Sequence, residues 1–230
     1  MTIICFTYAG GTASFYDFFD ESLSEYEIIK IEYAGHGDRR KEPFYCNFKQ
    51  LAEDIYKIVK PYTKGDYALF GYSMGTIALV EVLKRIIDDG NENLPKRVFL
   101  AAHEPHIKTE LAGYRQDELD DWIKERTFSF GDIPEILLDN KPFWRMYLPI
   151  YRADYALIGE YRFEDISLET KVPASVFYSE QDTPLAEMLG WKKYFIGDTD
   201  YHKYEGKHFF IKEHYEAISE VIKIKLGATK

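Results

Sequence analysis

Residues 69–83, LFGYSMGTIALVEVL, set one serine between two glycines, with an apolar strand-like run before it and an apolar helix-like run after it. Gly71-Tyr72-Ser73-Met74-Gly75 has the G-x-S-x-G form of a strand–turn–helix elbow, which holds a serine at the apex of a strained turn. The pattern alone is common, and the flanking strand and helix are what give it weight. The glycines let neighbouring backbone approach closely. A helix starting at this point aims free N–H groups and the positive end of its dipole at the hydroxyl. An oxyanion formed beside Ser73 would be stabilised by the Met74 amide. This is equipment for nucleophilic attack on a carbonyl.

Such a serine needs a base, and the base needs a carboxylate to orient it. The histidines are His36, His103, His106, His202, His208 and His214. In an elbow fold the chain order is serine, acid, histidine, with the histidine on a loop after the final strand. His208 fits, in EGKHFFIKEHY, with a glycine shortly before it and an apolar helix after it. His202 falls within the last strand and His214 within the last helix. His103 and His106 flank Glu104-Pro105, match no zinc-protease spacing and have no third ligand of clear position, so no metal is expected. For the acid, Asp182 closes the run ASVFYSEQD at a strand end, although its position before Thr-Pro also suits a helix cap. Glu180 is a close rival, and Asp198 and Asp200 are weaker ones. A second oxyanion donor should lie in the small, glycine-rich loop TYAGGTAS (7–14), and the Ala9 amide is the first choice there, with Tyr8 next. Each such donor contributes about 2.7–4 kcal/mol of transition-state stabilisation.

These groups have to be held by a rigid frame. Strand-like runs occur at 3–8, 26–33, 67–72, 97–103 and 174–180, with a weaker one at 200–206. The central runs are continuously apolar, as in parallel strands covered on both faces. Helix-like segments at 47–62, 73–90, 183–195 and 209–225 alternate with them, and Gly90 supplies a C-terminal stop. The alternation predicts a mostly parallel, doubly wound α/β sheet. The pattern breaks between 106 and 170, where helical spacing continues without a convincing strand. Phe143, Tyr147, Ile150, Tyr151 and Tyr155 share one helical face there. The expected organisation is a core of residues 1–105 and 171–230 with a helical lid, 106–170, over the sheet edge.

Composition removes several function classes. The chain has 230 residues, 46% hydrophobic and 17% aromatic, which suffices for one large core. A formal charge of −10 speaks against general nucleic-acid or anionic-membrane binding. Cys5 and Cys46 offer no disulfide framework, and the apolar run at the N-terminus is too short for a signal or membrane segment, so a cytoplasmic setting is expected.

Taken together, these motifs resemble the type II thioesterases of nonribosomal peptide and polyketide biosynthesis, which are α/β-hydrolases. FTYAGGTASFY resembles the opening oxyanion loop, YAGHGDRRKEP the second loop, GYSMG the elbow and EGKHFFI the histidine loop. LDNKPFWRMYLPIYRADYALIGEY resembles the lid segment ending in R-A-D and a tyrosine-bearing helix. QDTPLAEMLGWKKY resembles the segment carrying the acid and a tryptophan helix. Thr7 stands where the family usually has proline, His36 where arginine is common, Tyr72 where histidine is frequent and Lys207 where glycine is common. None of these is a proposed catalytic group.

The resemblance implies hydrolysis of acyl thioesters from the phosphopantetheine arm of acyl or peptidyl carrier proteins, by a monomer without a cofactor. Ser73, His208 and Asp182 would form the triad, with Met74 and Ala9 as oxyanion donors. The acyl chain would enter between sheet and lid, among Phe143, Trp144, Tyr147 and Tyr151. The visible basic clusters that an acidic carrier could meet are Asp38-Arg39-Arg40-Lys41 and Lys84-Arg85. Other readings are a small-molecule esterase or acyl-CoA thioesterase on the same fold, and a catalytically silent binding protein.

Overall fold

The computed structural model describes residues 1–106, 116–131 and 133–227. In chain order the elements are β1 (Thr2–Phe6), α1 (Phe18–Ser22), β2 (Glu27–Ile31), α2 (Phe48–Val59), β3 (Tyr67–Tyr72), α3 (Met74–Asp88) and β4 (Val98–Ala101). They continue with α4 (Gln116–Ser129), α5 (Lys141–Glu160), β5 (Ala174–Tyr178), α6 (Leu185–Met188), β6 (Thr199–Lys203) and α7 (Ile211–Leu226). Every expected strand forms, and all pair in parallel in the order β2-β1-β3-β4-β5-β6.

Alternation of side chains across the pleat explains why the inner strands read as unbroken apolar runs. Ile4, Phe6, Leu69, Val98, Leu100 and Val176 face one core, shared with α2 and α3. Ile3, Cys5, Phe70, Phe99 and Phe177 face a second core, closed by α1 and α7. Only the outer strands β2 and β6 are partly exposed. Asparagines begin two of the helices: Gln50 N–H donates to Asn47 Oδ1 at 2.8 Å, and Phe143 N–H to Asn140 Oδ1 at 2.9 Å. The segment expected as one helix over 183–195 is instead the short α6 followed by a 3-10 turn at Leu189–Lys193.

Between β4 and β5 the described residues form α4 and α5 and no strand of the sheet. Residues 107–115 and 132 of this excursion lie outside the described residues. A two-pronged Arg152–Asp120 ion pair, with both contacts at 2.5 Å, ties α5 to α4. The two helices enclose a small core of their own around Ile123, Trp144, Leu148, Tyr151 and Tyr155.

Candidate active site

Ser73 sits at the carboxyl end of β3 with φ 53° and ψ −122°, a conformation that costs a non-glycine residue about 1–3 kcal/mol. The sheet holds it there, because its N–H donates to Ala101 O of the neighbouring strand at 2.9 Å. The two glycines have specific steric reasons. A Cβ on Gly75 would lie 1.9 Å from Phe6 O, and one on Gly71 would lie 2.6 Å from Gly75 O. With side chains at either position, α3 could not start so close to β1 and β3. Met74 opens α3, so its amide is among the first-turn N–H groups that no helical carbonyl can accept.

His208 and Asp182 arrive from the loops after β6 and β5. His208 Nε2 lies 2.9 Å from Ser73 Oγ, and its Nδ1 lies 2.9 and 3.0 Å from the two Asp182 oxygens. A carboxylate can only accept, so Nδ1 carries the proton. That leaves Nε2 free to receive one from the serine. Asp182 and Thr183 both donate backbone N–H groups to Ser179 O, at 3.1 and 2.9 Å, closing the acid turn. Ser179 Oγ then donates to Gly206 O, joining the acid turn to the histidine loop, and Tyr72 OH donates to His208 O.

The rival groups lie elsewhere. Glu180 accepts the Leu185 amide at 3.4 Å, a role local to the start of α6. Asp198 binds Arg97 at 2.5 Å, and Asp200 binds His202 at 2.9 Å. His214 meets Glu205 O at 3.0 Å.

A cavity of about 520 Å³ opens on this chain of hydrogen bonds. Ser73, Asp182, His208 and Ala9 line it from the sheet side, and Phe130 and Tyr151 line it from α5 and the end of α4. Of the four aromatics expected to receive an acyl chain, only Tyr151 lines the cavity. Trp144 is packed inside the helical excursion, while Phe143 and Tyr147 stack on each other at 4.6 Å. Their shared helical face serves the excursion's own core.

Several neighbours of the site escaped the sequence reading. Phe130 stacks on the His208 ring at 3.9 Å and 19°, and the Arg126 guanidinium lies over the Phe130 ring, 4.7 Å from its centroid. His103, half-buried after β4, lines the cavity, and desolvation pushes its pKa down, favouring a neutral ring. His36 and Asp154 form a buried pair at 2.9 Å beside the loop after β1. No local pattern signals the Phe130–His208 or His36–Asp154 contact, each of which joins residues distant in sequence. The two basic clusters are partly neutralised: Arg39 binds Glu42 at 2.5 Å and Asp54 at 2.8 Å, and Lys84 binds Asp88 at 2.6 Å.

A strained serine at a strand–helix elbow, engaged by a carboxylate-oriented histidine, defines an α/β-hydrolase centre. The family model for the thioesterase domain matches residues 1–226. Among similar proteins, gramicidin S biosynthesis protein GrsT of Aneurinibacillus migulanus is 27% identical, covering 97% of this chain and 88% of its own. Thioesterase PikA5 of Streptomyces venezuelae is 26% identical, with coverage of 99% and 82%. The crystal structure of ClbQ from the colibactin NRPS/PKS pathway superposes with a TM-score of 0.86 at 26% identity, covering 99% of this chain and 97% of that one. The chain belongs to the thioesterase domain family. It has the α/β-hydrolase fold and is a hydrolase of thioesters, as the motif resemblance implied.

Proposed function

We propose that this protein is a type II thioesterase that releases acyl groups from the phosphopantetheine arm of carrier proteins, clearing misprimed or stalled nonribosomal peptide or polyketide synthases. The observation that carries the chemistry is the Ser73–His208–Asp182 hydrogen-bond chain opening into a cavity beneath α4 and α5. His208 Nε2 takes the Ser73 proton as Oγ bonds to the thioester carbonyl carbon. The Ala9 and Met74 amides hold the resulting oxyanion. When the carbon–sulfur bond breaks, the departing thiolate receives the proton from Nε2. A water then repeats the sequence on the acyl-serine, giving the free acid and restoring the enzyme. Asp182 keeps the ring in the productive tautomer and stabilises the imidazolium. All the atoms in this cycle come from substrate, water and the three side chains.

The placement of α4 and α5 supports their reading as a lid whose Phe130 and Tyr151 border the acyl path. Similarity to GrsT of gramicidin S biosynthesis, thioesterase PikA5 and ClbQ of the colibactin NRPS/PKS pathway supports carrier-bound substrates. Two unpaired cysteines support a reducing, cytoplasmic setting, and no helix among the described residues is long and apolar enough to cross a membrane. We take the monomer to be the working unit. Rates on matched acyl-carrier, acyl-CoA and p-nitrophenyl ester substrates test the reading. The carrier substrate should give the highest kcat/KM, and a preference of about tenfold or more for the free ester would overturn it.

A further inference from the structure

The loop after β1 is a four-residue turn closed by Gly11 N–H donating to Tyr8 O at 3.0 Å. Gly10, its third residue, has φ +78°, while Ala9 does not have a positive φ. That combination is a type II turn, which needs a left-handed third residue. It differs from the commoner type I turn by a flip of its central peptide, the one that carries the Gly10 N–H. The orientation of that peptide sets where the Gly10 N–H points.

The holding group comes from α5. Gly10 N–H donates to Asp154 Oδ2 at 2.7 Å, and the same oxygen lies 2.9 Å from His36 Nε2. One turn earlier on α5, the Tyr151 ring sits where a Gly10 side chain would be, with Cε1 2.2 Å from a Cβ built there. Both His36 and Asp154 are almost wholly buried, at 1% and 2% exposure. His36 Nδ1 meets Ala34 O at 3.1 Å. Both ring nitrogens thus face groups that only accept, so the ring carries both protons and a positive charge. A neutral ring would set a lone pair against either the carbonyl or the carboxylate.

We propose that His36 and Asp154 are positioning residues that hold the Ala9 amide toward the reacting carbonyl through Gly10, and that loss of the second His36 proton releases it. The Tyr8–Ala9 peptide carries both the Ala9 N–H and the carbonyl bound by Gly11, so fixing the turn fixes the donor's direction. The proposal rests on the reading of Ala9 as an oxyanion donor. It also makes α5 part of the catalytic geometry, because the lid helix and the donor loop are joined by one carboxylate.

The titratable groups around the ring come from each side. Asp154 faces it from α5, while Glu32 and Tyr33 face it from the end of β2, with Asp38 behind Glu32. Burial opposes the charge on His36, but the charge and hydrogen bond of Asp154, the Ala34 carbonyl and Glu32 outweigh it and raise the pKa above the ordinary imidazole value. The charged clamp is therefore intact below the ordinary imidazole range and is lost as pH rises through the raised value.

Side-chain nitrogen NMR of the whole chain across pH, read beside kcat and KM profiles, tests this. His36 should be doubly protonated at neutral pH and lose a proton above the ordinary imidazole value, and kcat should fall through the same transition with KM moving less. His36→Gln donates from a similar place without titrating, so its kcat should lose that alkaline limb. Asp154→Asn should lower the His36 pKa and cut kcat by about tenfold or more, the scale of losing one oxyanion donor's alignment. A neutral His36 ring at neutral pH, a ring charged at every accessible pH, or an unchanged alkaline limb in His36→Gln would overturn the proposal. The NMR result stands on the wild type even if a variant fails to fold. Fluorophosphonate labelling separates the two readings. An unlabelled wild-type Ser73 would defeat the serine mechanism itself, whereas normal labelling with an unchanged pH limb defeats only the clamp.

Discussion

At the scale of single residues, Asp182 and Glu180 are two positions apart, yet their surroundings give them different work. Asp182 orients His208 with two contacts near 3 Å, while Glu180 caps a short helix at the surface. Asp182→Asn should lower kcat by about 10⁴-fold, since an amide cannot support the tautomer that leaves Nε2 free, whereas Glu180→Gln should stay within about twofold. Full activity in Asp182→Asn with loss in Glu180→Gln would reverse the assignment. Ser73 and His208 were legible because a G-x-S-x-G elbow and a late histidine after a glycine are local patterns. Asp182 was readable only as a preference among four carboxylates. The His36–Asp154 contact spans 118 positions and leaves no local trace, although the R-A-D segment that contains the aspartate stood out. Sequence spacing also grouped the α5 aromatics correctly on one helical face without saying whether that face met a cavity or a neighbouring helix.

At the scale of elements, the elbow depends on how closely α3 approaches β1. Gly75→Ala places a methyl group 1.9 Å from Phe6 O, a backbone atom that cannot swing aside. The variant should lose about 3 kcal/mol or more and fall in soluble yield, read by denaturant unfolding. A milder test concerns the start of α5. Asn140→Ala removes the side chain that accepts the Phe143 amide and should cost about 1 kcal/mol. The strands were legible for a physical reason. β1, β3, β4 and β5 are buried on both faces and are apolar at most positions, so they appear as nearly continuous runs. The short α1 and the break after α6 were not legible. Segments of four or five residues are held by tertiary contacts and carry too little periodicity to read.

The whole molecule separates stability from chemistry along the sheet. Arg97, 6% exposed, donates to Ala174 O at 2.9 Å, to Ser175 Oγ at 3.0 Å and to Asp198 at 2.5 Å, at the end of β4 opposite the Ala101 contact with Ser73. Arg97→Met should cost about 1.5–3 kcal/mol on unfolding while kcat stays near wild type. Glu81 of α3 supplies a pH test. Burial is the largest influence on its carboxyl and raises its pKa, while the Tyr161 hydroxyl at 2.8 Å offsets part of that. A carboxyl raised on folding is retained without penalty below its unfolded value, and stability is lost as pH rises through the folded value. Glu81→Gln should therefore raise Tm by a few degrees at neutral pH and leave it unchanged in acid, below the ordinary carboxylate range.

The central claim is that one serine hydroxyl carries the acyl group between carrier and water. It is tested most directly by quenching the enzyme during turnover of an acyl-phosphopantetheinyl carrier protein and mapping the acylated peptide by mass spectrometry. The acyl mass should appear on the peptide containing Ser73 and vanish in Ser73→Ala, together with acid release. Acyl transfer to a different side chain, or undiminished acid release by Ser73→Ala, would contradict it.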